Sequence, residues 1–304
     1  NTAPPNVPTI YDKIAYVDSS SMGEIELYPM RVSTSKEVEK KPTEQRDFND
    51  AEVISISCRA GRIEPPGTRI PIGEVYDTYG LLNMRAPDEI KQALKIWDRS
   101  LARLIAAGGV FSSDFPTYDS LAYFGSHSSN PGKLGASSYT NDIVASADEA
   151  GFLAAWQNMQ QIPGYDDTLV NVDMGMPLIL VPTVAMKIAF DKLLNEGLIA
   201  KQVAAAAASE NTRLAGWAET IHMPELLQYS NVDPLIAKRW YIINRNDYSR
   251  RGFIVRNPVK PQFRLTTEND VFAHTHDARV LYYKTYGGVN YGLPHLVTRC
   301  TLPI

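Results

Sequence analysis

Trp240-Tyr-Ile-Ile-Asn244, Gly252-Phe-Ile-Val-Arg256 and Pro258-Val-Lys-Pro-Gln-Phe263 are three short apolar or alternating runs parted by turn residues, and they decide the fold. Apolar and polar residues alternating with period two, bounded by glycine, proline and asparagine, predict strands. After a polar break, Asp277 to Tyr286 and Leu293 to Leu302 read as two more, with Tyr286-Gly-Gly-Val-Asn-Tyr-Gly292 between them. Upstream, Pro177-Leu-Ile-Leu-Val-Pro182 is an unbroken apolar run of the kind that marks a buried strand. The amphipathic stretch Thr183 to Asn195 follows it directly and predicts a helix.

Further out, Pro87-Asp-Glu-Ile90 opens the best helix in the chain. Proline suits the first turn, and Asp88 and Glu89 suit the positive end of the helix dipole. Ile90, Leu94, Trp97, Leu101, Leu104 and Ile105 form one apolar stripe, and Gly108-Gly109 stops it. The helix predicted over 87–107 is a rod of about 30 Å. Ser146-Ala-Asp-Glu149 has the form of a capping box, with Ser146 as cap, ahead of a helix whose apolar side is Phe152, Trp156 and Met159. Trp217 to Leu227 is a candidate strand, Ala204 to Ala208 is low-complexity, and Pro65-Pro-Gly67 and Pro71 read as turns.

The N-terminal part differs in character. Residues 1–10 hold three prolines among small polar residues, an extended arm with no core of its own. Tyr11 to Val17 reads as a short strand or helical turn. Glu24-Ile-Glu-Leu-Tyr28 and Val53-Ile-Ser-Ile-Ser-Cys58 alternate as strands. Between them Lys36, Glu37, Glu39, Lys40, Lys41, Glu44, Arg46, Asp47 and Asp50 make a highly charged tip. Such a two-stranded ribbon cannot pack as a domain by itself. It is either a solvated hairpin or an arm that reaches a neighbouring molecule, its mixed charges setting register more than affinity.

Composition excludes several function classes. Of the 304 residues, 44% are hydrophobic and 21% charged, which argues for folded structure throughout. No apolar run approaches the roughly 20 residues of a membrane span. A net charge of −4 and a pI near 5.8 argue against a dominant basic surface for nucleic acid. Cys58 and Cys300 lack metal spacing and read as two unpaired thiols. No phosphate loop, dinucleotide fingerprint or nucleophile elbow is present, so no catalytic residue and no cofactor is expected. His274-Thr-His276-Asp277 alone has metal character, because two histidines on a strand share a face; a third ligand has no linking motif. Lys238-Arg239 and Arg250-Arg251 read as a solvated or inter-subunit patch. As given, the chain starts at Asn1 without a secretory signal, which reads as a trimmed numbering or a proteolytic cut.

The order of these elements resembles tailed-phage major capsid proteins of the Hong Kong 97-type α+β fold, closest to the Mu-like head-subunit branch. Residue-level support lies at 177–195, at 240–304 and at Tyr118-Asp-Ser-Leu-Ala-Tyr-Phe124-Gly-Ser-His127. There a Tyr-Asp-Gly precedes an aromatic-plus-His segment in the Mu-like pattern, and Ser120 stands here in place of the glycine. The resemblance implies an N-terminal arm at 1–23 and an extended-loop hairpin at 24–62. It implies a peripheral domain at 63–146 and 261–304 with the spine helix 87–107, and an axial domain at 147–260.

The implied function is self-assembly, through hexamers and pentamers, into an icosahedral shell around double-stranded DNA, bound without sequence specificity. Scaffold, portal and decoration proteins are the further implied partners; no membrane is. The implied location is the virion capsid, assembled in the host cytoplasm. Proteins of this type often lose an N-terminal segment, and some join a loop lysine to a neighbour's asparagine, for which Lys36, Lys40 and Lys41 are the donors by position. Self-assembly contacts are expected at Lys36, Glu37, Glu39, Lys40, Lys41, Arg46, Asp47, Arg250 and Arg251. The rival readings are an encapsulin-like nanocompartment shell and a metal-dependent enzyme built on His274 and His276.

Overall fold

The computed structural model describes residues 8–20, 22–31, 53–63, 68–71, 73, 90–130, 135–164, 169–172, 174–195, 214–245, 251–266, 275–276 and 278–303. Its elements begin with α1 (Tyr11–Ile14), β1 (Tyr16–Asp18), β2 (Ile25–Arg31), β3 (Val53–Arg59), β4 (Gly61–Ile63) and β5 (Thr68–Pro71). Then come α2 (Ile96–Ala107), β6 (Ser126–Ser128), β7 (Ser138–Thr140), β8 (Asp142–Val144), α3 (Glu149–Gln160), β9 (Leu178–Val181), α4 (Val184–Asn195) and β10 (Glu219–His222). The chain closes with β11 (Arg239–Ile243), β12 (Phe253–Leu265), β13 (Ala278–Tyr291) and β14 (Val297–Thr301).

One sheet has the order β10-β9-β11-β14-β8. Its strands explain why the run at 178–181 shows no alternation. Leu178 and Leu180, with Tyr241, Ile243 and Val297, face a core built on Trp97, Leu101, Leu104 and Ile105 of α2. Ile179 and Val181, with Trp240, Ile242 and Cys300, face the opposite way onto Phe152, Ala155 and Met159 of α3 and Met186, Phe190 and Leu194 of α4. Helices cover both faces, so every position must be apolar. Full burial of each such side chain contributes about 1.5–3 kcal/mol.

The other large sheet follows β1-β12-β13-β4, with β5 also on β13. Phe253 and Val255 of β12 and Tyr291 of β13 join the α2 core. Ile254 points to the other face, where it meets Ile56 and Cys58 of the β2–β3 hairpin. The spine helix α2 thus lies between two sheets, and the hairpin lies on the far face of the second. Residues 90–94 are helical too and are parted from α2 by a turn at Lys95, so the predicted stripe is continuous apart from that break. Positions 87–89 and 204–208 lie outside the described residues.

Several expectations are corrected. The runs opening at Gly252 and Pro258 are not two strands: Phe253–Arg256 and Pro258–Phe263 are parts of the 13-residue β12. Pro258 and Pro261 fall inside the two register shifts of its pairing with β13, where a residue without an N–H donor does not break the ladder. The glycine-rich Tyr286–Gly292 is not a connection either; β13 runs through it to Tyr291.

A Cβ at Gly287 would lie 2.1 Å from the Arg256 carbonyl oxygen and 2.5 Å from the Trp97 ring; one at Gly288 would lie 2.1 Å from the Arg59 carbonyl oxygen. Adjacent glycines therefore admit the spine helix on one face and the hairpin root on the other. Pro71 ends β5, opposite Ala278, instead of making a turn. The cap of α3 is Asp148, not Ser146: Asp148 is extended (φ −141°) and accepts the Gly151 N–H at 2.8 Å, while Ser146 Oγ donates to Asp148 at 2.6 Å.

Residues 253–256 of β12 belong with β1, whereas β8 and the last strand β14 belong with β9–β11. At Ser120, where the resembling pattern has glycine, φ is +56°, a left-handed turn conformation that glycine adopts at no steric cost.

Gly287→Ala should lower stability by about 3 kcal/mol through overpacking against Trp97 and the Arg256 carbonyl. Gly61→Ala, whose Cβ meets nothing within 4 Å, should change it by less than about 0.5 kcal/mol. Urea denaturation of the two variants beside the parent protein checks both.

Candidate assembly surface

The root of the hairpin β2–β3 is held by buried polar contacts. Arg256, fully buried on β12, donates to the backbone carbonyls of Gly23 (2.6 Å), Glu24 (3.3 Å) and Cys58 (2.8 Å). Tyr28 donates to Asp18 Oδ2 at 2.5 Å, and Asp18 Oδ1 accepts from Ser20. Asn290 of β13 donates to the Ser57 carbonyl. Burial raises the Tyr28 phenol above its usual value, and the bond to Asp18 raises it further. Burial also pushes the Cys58 thiol up to about 12 against the opposing charge of Arg256, so Cys58 stays a neutral core residue.

The Arg59–Glu24 pair, 3.0 Å apart, is mostly exposed and contributes less than about 1 kcal/mol. The charged hydrogen bonds of the buried Arg256 contribute about 1.5–3 kcal/mol each and are what hold the root. The outer face of β2 carries Ile25 and Leu27, 59% and 62% exposed.

Of the residues expected to make assembly contacts, Lys36, Glu37, Glu39, Lys40, Lys41, Arg46, Asp47 and Arg250 lie outside the described residues. Arg251 is buried just ahead of β12, and its carbonyl accepts the Leu293 N–H at 3.1 Å. A basic residue flanking a strand reads as solvated in sequence, and only tertiary packing covers it here.

His274 also lies outside the described residues. His276 is exposed, with Nδ1 2.7 Å from Thr275 Oγ1 and its carbonyl accepting from Arg69. The remaining histidines sit apart from it: His222 Nε2 faces the Pro182 carbonyl at 3.2 Å, and His127 and His295 are buried. Among the described residues, no three His, Cys, Asp or Glu side chains converge as metal ligands.

The segment 118–127 carries a buried polar cluster that sequence reasoning noted as a pattern but did not resolve. His127 Nδ1 lies 2.6 Å from Asp119 Oδ2, both side chains essentially inaccessible, and His127 Nε2 lies 3.1 Å from the Tyr123 carbonyl. Burial alone would raise the Asp119 carboxyl; the hydrogen bond and charge of His127 outweigh it, and the net displacement is downward. Tyr118 and Tyr139 lie against the ring of His295, at 5.5 and 4.8 Å between centroids. His295 is fully buried, and among the described residues neither ring nitrogen has a hydrogen-bond partner. Burial, aided by the charge of His127, lowers its pKa to about 3.

No protein-family model matches the chain, and no curated protein does. Solved structures do. The capsid structure of the cyanophage P-SCSP1u is 11% identical, covers 100% of this chain and 90% of its own, and superposes with a TM-score of 0.55. The mature capsid of bacteriophage PhiM1 is 10% identical over 97% of this chain and 87% of its own, with a TM-score of 0.54. The procapsid of bacteriophage JBD30 is 15% identical over 99% and 71%, at 0.50. At such identities the likeness establishes the fold, which is the Hong Kong 97-type α+β capsid fold.

Arg256→Met should cost about 3 kcal/mol and expose the hairpin root, read as faster proteolysis within 24–31 and 53–59. His295 makes a second expectation. Its pKa is lower folded than unfolded, so the folded chain cannot take up the proton that the unfolded chain binds. Stability from this group is full above pH 6.5, the ordinary histidine value, and is lost as pH falls toward about 3. His295→Phe should flatten that acid loss, measured as melting temperature against pH.

Proposed function

We propose that the chain is a major capsid protein that self-assembles into the icosahedral head shell enclosing the double-stranded DNA of a tailed phage. The observation that carries this reading is the agreement of fold over 97–100% of the chain with capsid proteins of P-SCSP1u, PhiM1 and JBD30. The conformation at Ser120, left-handed where the Mu-like pattern has glycine, supports placement in the Mu-like branch. On this reading the protein is structural and not an enzyme, and its partners are copies of itself, the packaged DNA, and scaffold, portal and decoration proteins. It resides in the virion capsid after assembly in the host cytoplasm.

The mechanism is closure by repetition. Each subunit makes several modest contacts, and symmetry repeats them until no edge stays open. The extended-loop hairpin is the principal arm: Lys36, Glu37, Glu39, Lys40, Lys41, Arg46 and Asp47 are its proposed charged contacts, with Arg250 a further one elsewhere. The exposed Ile25 and Leu27 on the outer face of β2 support the hairpin as a contact element. Arg256 gives it a fixed root on the subunit body, so force on the arm passes into the sheet. The lobes follow the sheets: a peripheral lobe on β1, β4, β5, β12 and β13, and an axial lobe on β9–β11 with α3 and α4. A weakly acidic subunit suits DNA confinement, which requires closure more than affinity for phosphate.

Size-exclusion chromatography with negative-stain electron microscopy tests the reading. Closed particles or capsomer-sized rings are expected, and nucleic acid in particles made during infection separates a phage head from a nanocompartment. A chain that stays monomeric even when produced with its scaffold would overturn the proposal.

A further inference from the structure

The N-terminal segment is held by a cap borrowed from another helix. Asp98, the third residue of α2, accepts the backbone N–H groups of Ile10 (3.0 Å) and Tyr11 (2.8 Å) on the same oxygen, Oδ1. It thereby satisfies the start of α1, where Ile10 offers no side-chain cap. Its second oxygen, Oδ2, is buried and has no hydrogen-bond partner among the described residues. Glu225, from the 3-10 turn Pro224–Tyr229 that packs on α2, is also buried. Its Oε1 pairs with Lys95 Nζ at 2.9 Å, and its Oε2 is likewise without a partner. Two carboxyl groups with one bare oxygen each therefore share a region served by a single lysine.

A buried carboxylate oxygen without a donor is costly, whereas a protonated one loses most of that cost and keeps a carbonyl oxygen for capping. We propose that the Asp98 carboxyl is a proton-operated latch for residues 9–14: protonated, it holds the segment on α2, and ionised, it lets the segment lift so that water reaches the carboxylate. The proton passes to solvent. Beyond residue 14 the chain stays attached, because β1 is paired in parallel with β12 at Tyr16–Ile254 and onward. Lys13 adds only a half-exposed ion pair to Glu219 at 3.3 Å, which is weak enough for the latch to govern.

Among the described residues, the charged and titratable groups that act on Asp98 are Glu225 from the 3-10 turn, Lys95 at the start of its own helix and Tyr11 from α1. The Tyr229 and Tyr291 hydroxyls are engaged by the Arg99 and Leu104 carbonyls. Burial raises the Asp98 pKa; the two backbone bonds oppose this, Glu225 adds to it and Lys95 subtracts. The net displacement is upward, so attachment is favoured at low pH and weakens as pH rises through the raised value. This holds whether or not the chain builds a shell, since every group belongs to one subunit.

Hydrogen–deuterium exchange on the full chain tests the latch. The readout is protection of the peptide spanning residues 8–15, corrected for the pH dependence of chemical exchange and followed from acid to alkaline pH. The parent should lose protection about tenfold or more as pH rises, with the body of β12 unchanged. Asp98→Asn keeps the capping oxygen and puts a donor where the bare oxygen was; it should hold the acid level of protection throughout. Glu225→Gln removes the facing negative charge and should move the transition to lower pH. A parent whose protection is flat or rises with pH overturns the latch, as does an equal slope in Asp98→Asn. If Asp98→Asn does not fold, a Glu225→Gln transition at unchanged or higher pH overturns it.

Discussion

The backbone of β13 passes between the Trp97 ring on one face and the Arg59 carbonyl on the other, with no space for a side chain at Gly287 or Gly288. Nearly everything else is arranged around that approach. Trp97 sets the distance from α2 to the β1-β12-β13-β4 sheet. The same helix then buries the inner face of the β9–β11 sheet through Leu101, Leu104 and Ile105. On the opposite face, the close passage at Gly288 lets the hairpin lie flat enough for Cys58 and Ile56 to reach Ile254. A bulkier residue at either position would lift one layer off the sheet.

The buried polar groups differ in what they fasten. Arg256 donates to three backbone carbonyls of the hairpin, far away in sequence, whereas Asp119 and His127 pair within one short segment. Asp98, Glu225 and His295 keep bare atoms. Bare buried atoms are costly, and those of Asp98 and His295 tie part of the stability to pH. Their titrations act in opposite directions. Acid removes the stability that depends on a neutral His295, whereas acid favours the protonated Asp98 that caps α1.

Strands, the spine stripe and the hairpin flanks were legible in the sequence because period-two and period-3.6 patterns report burial directly. The unbroken run at 178–181 was legible for the complementary reason, since a strand covered on both faces has no polar side to show. What was not legible depended on contacts between distant segments. Pro258, Pro261 and the Gly287-Gly288 pair look like interruptions locally and become bulges and close approaches only opposite their partners. Ser146 and Asp148 both fit a cap, and only backbone geometry chooses between them. The candidate site was read less well than the fold. Arg256 and Arg251 are basic residues beside turns, a pattern that predicts solvent, and nothing near them in sequence announces that the hairpin and the Gly292–Leu293 turn close over them. Asp98 sits among polar neighbours on a helix, and its trans-capping role needs α1 in place.

The anchor at the hairpin root addresses main-chain atoms. Arg256 binds the carbonyls of Gly23, Glu24 and Cys58, which every residue possesses, so substitution at those positions leaves the anchor's chemistry untouched. The arm beyond the root can therefore drift in composition and charge while its point of attachment stays fixed. On the proposed reading, a lineage built on such a joint is free to redraw what the hairpin contacts without relearning how to fold. Against capsids that share the architecture, identities of 10–15% are the kind of divergence that freedom permits.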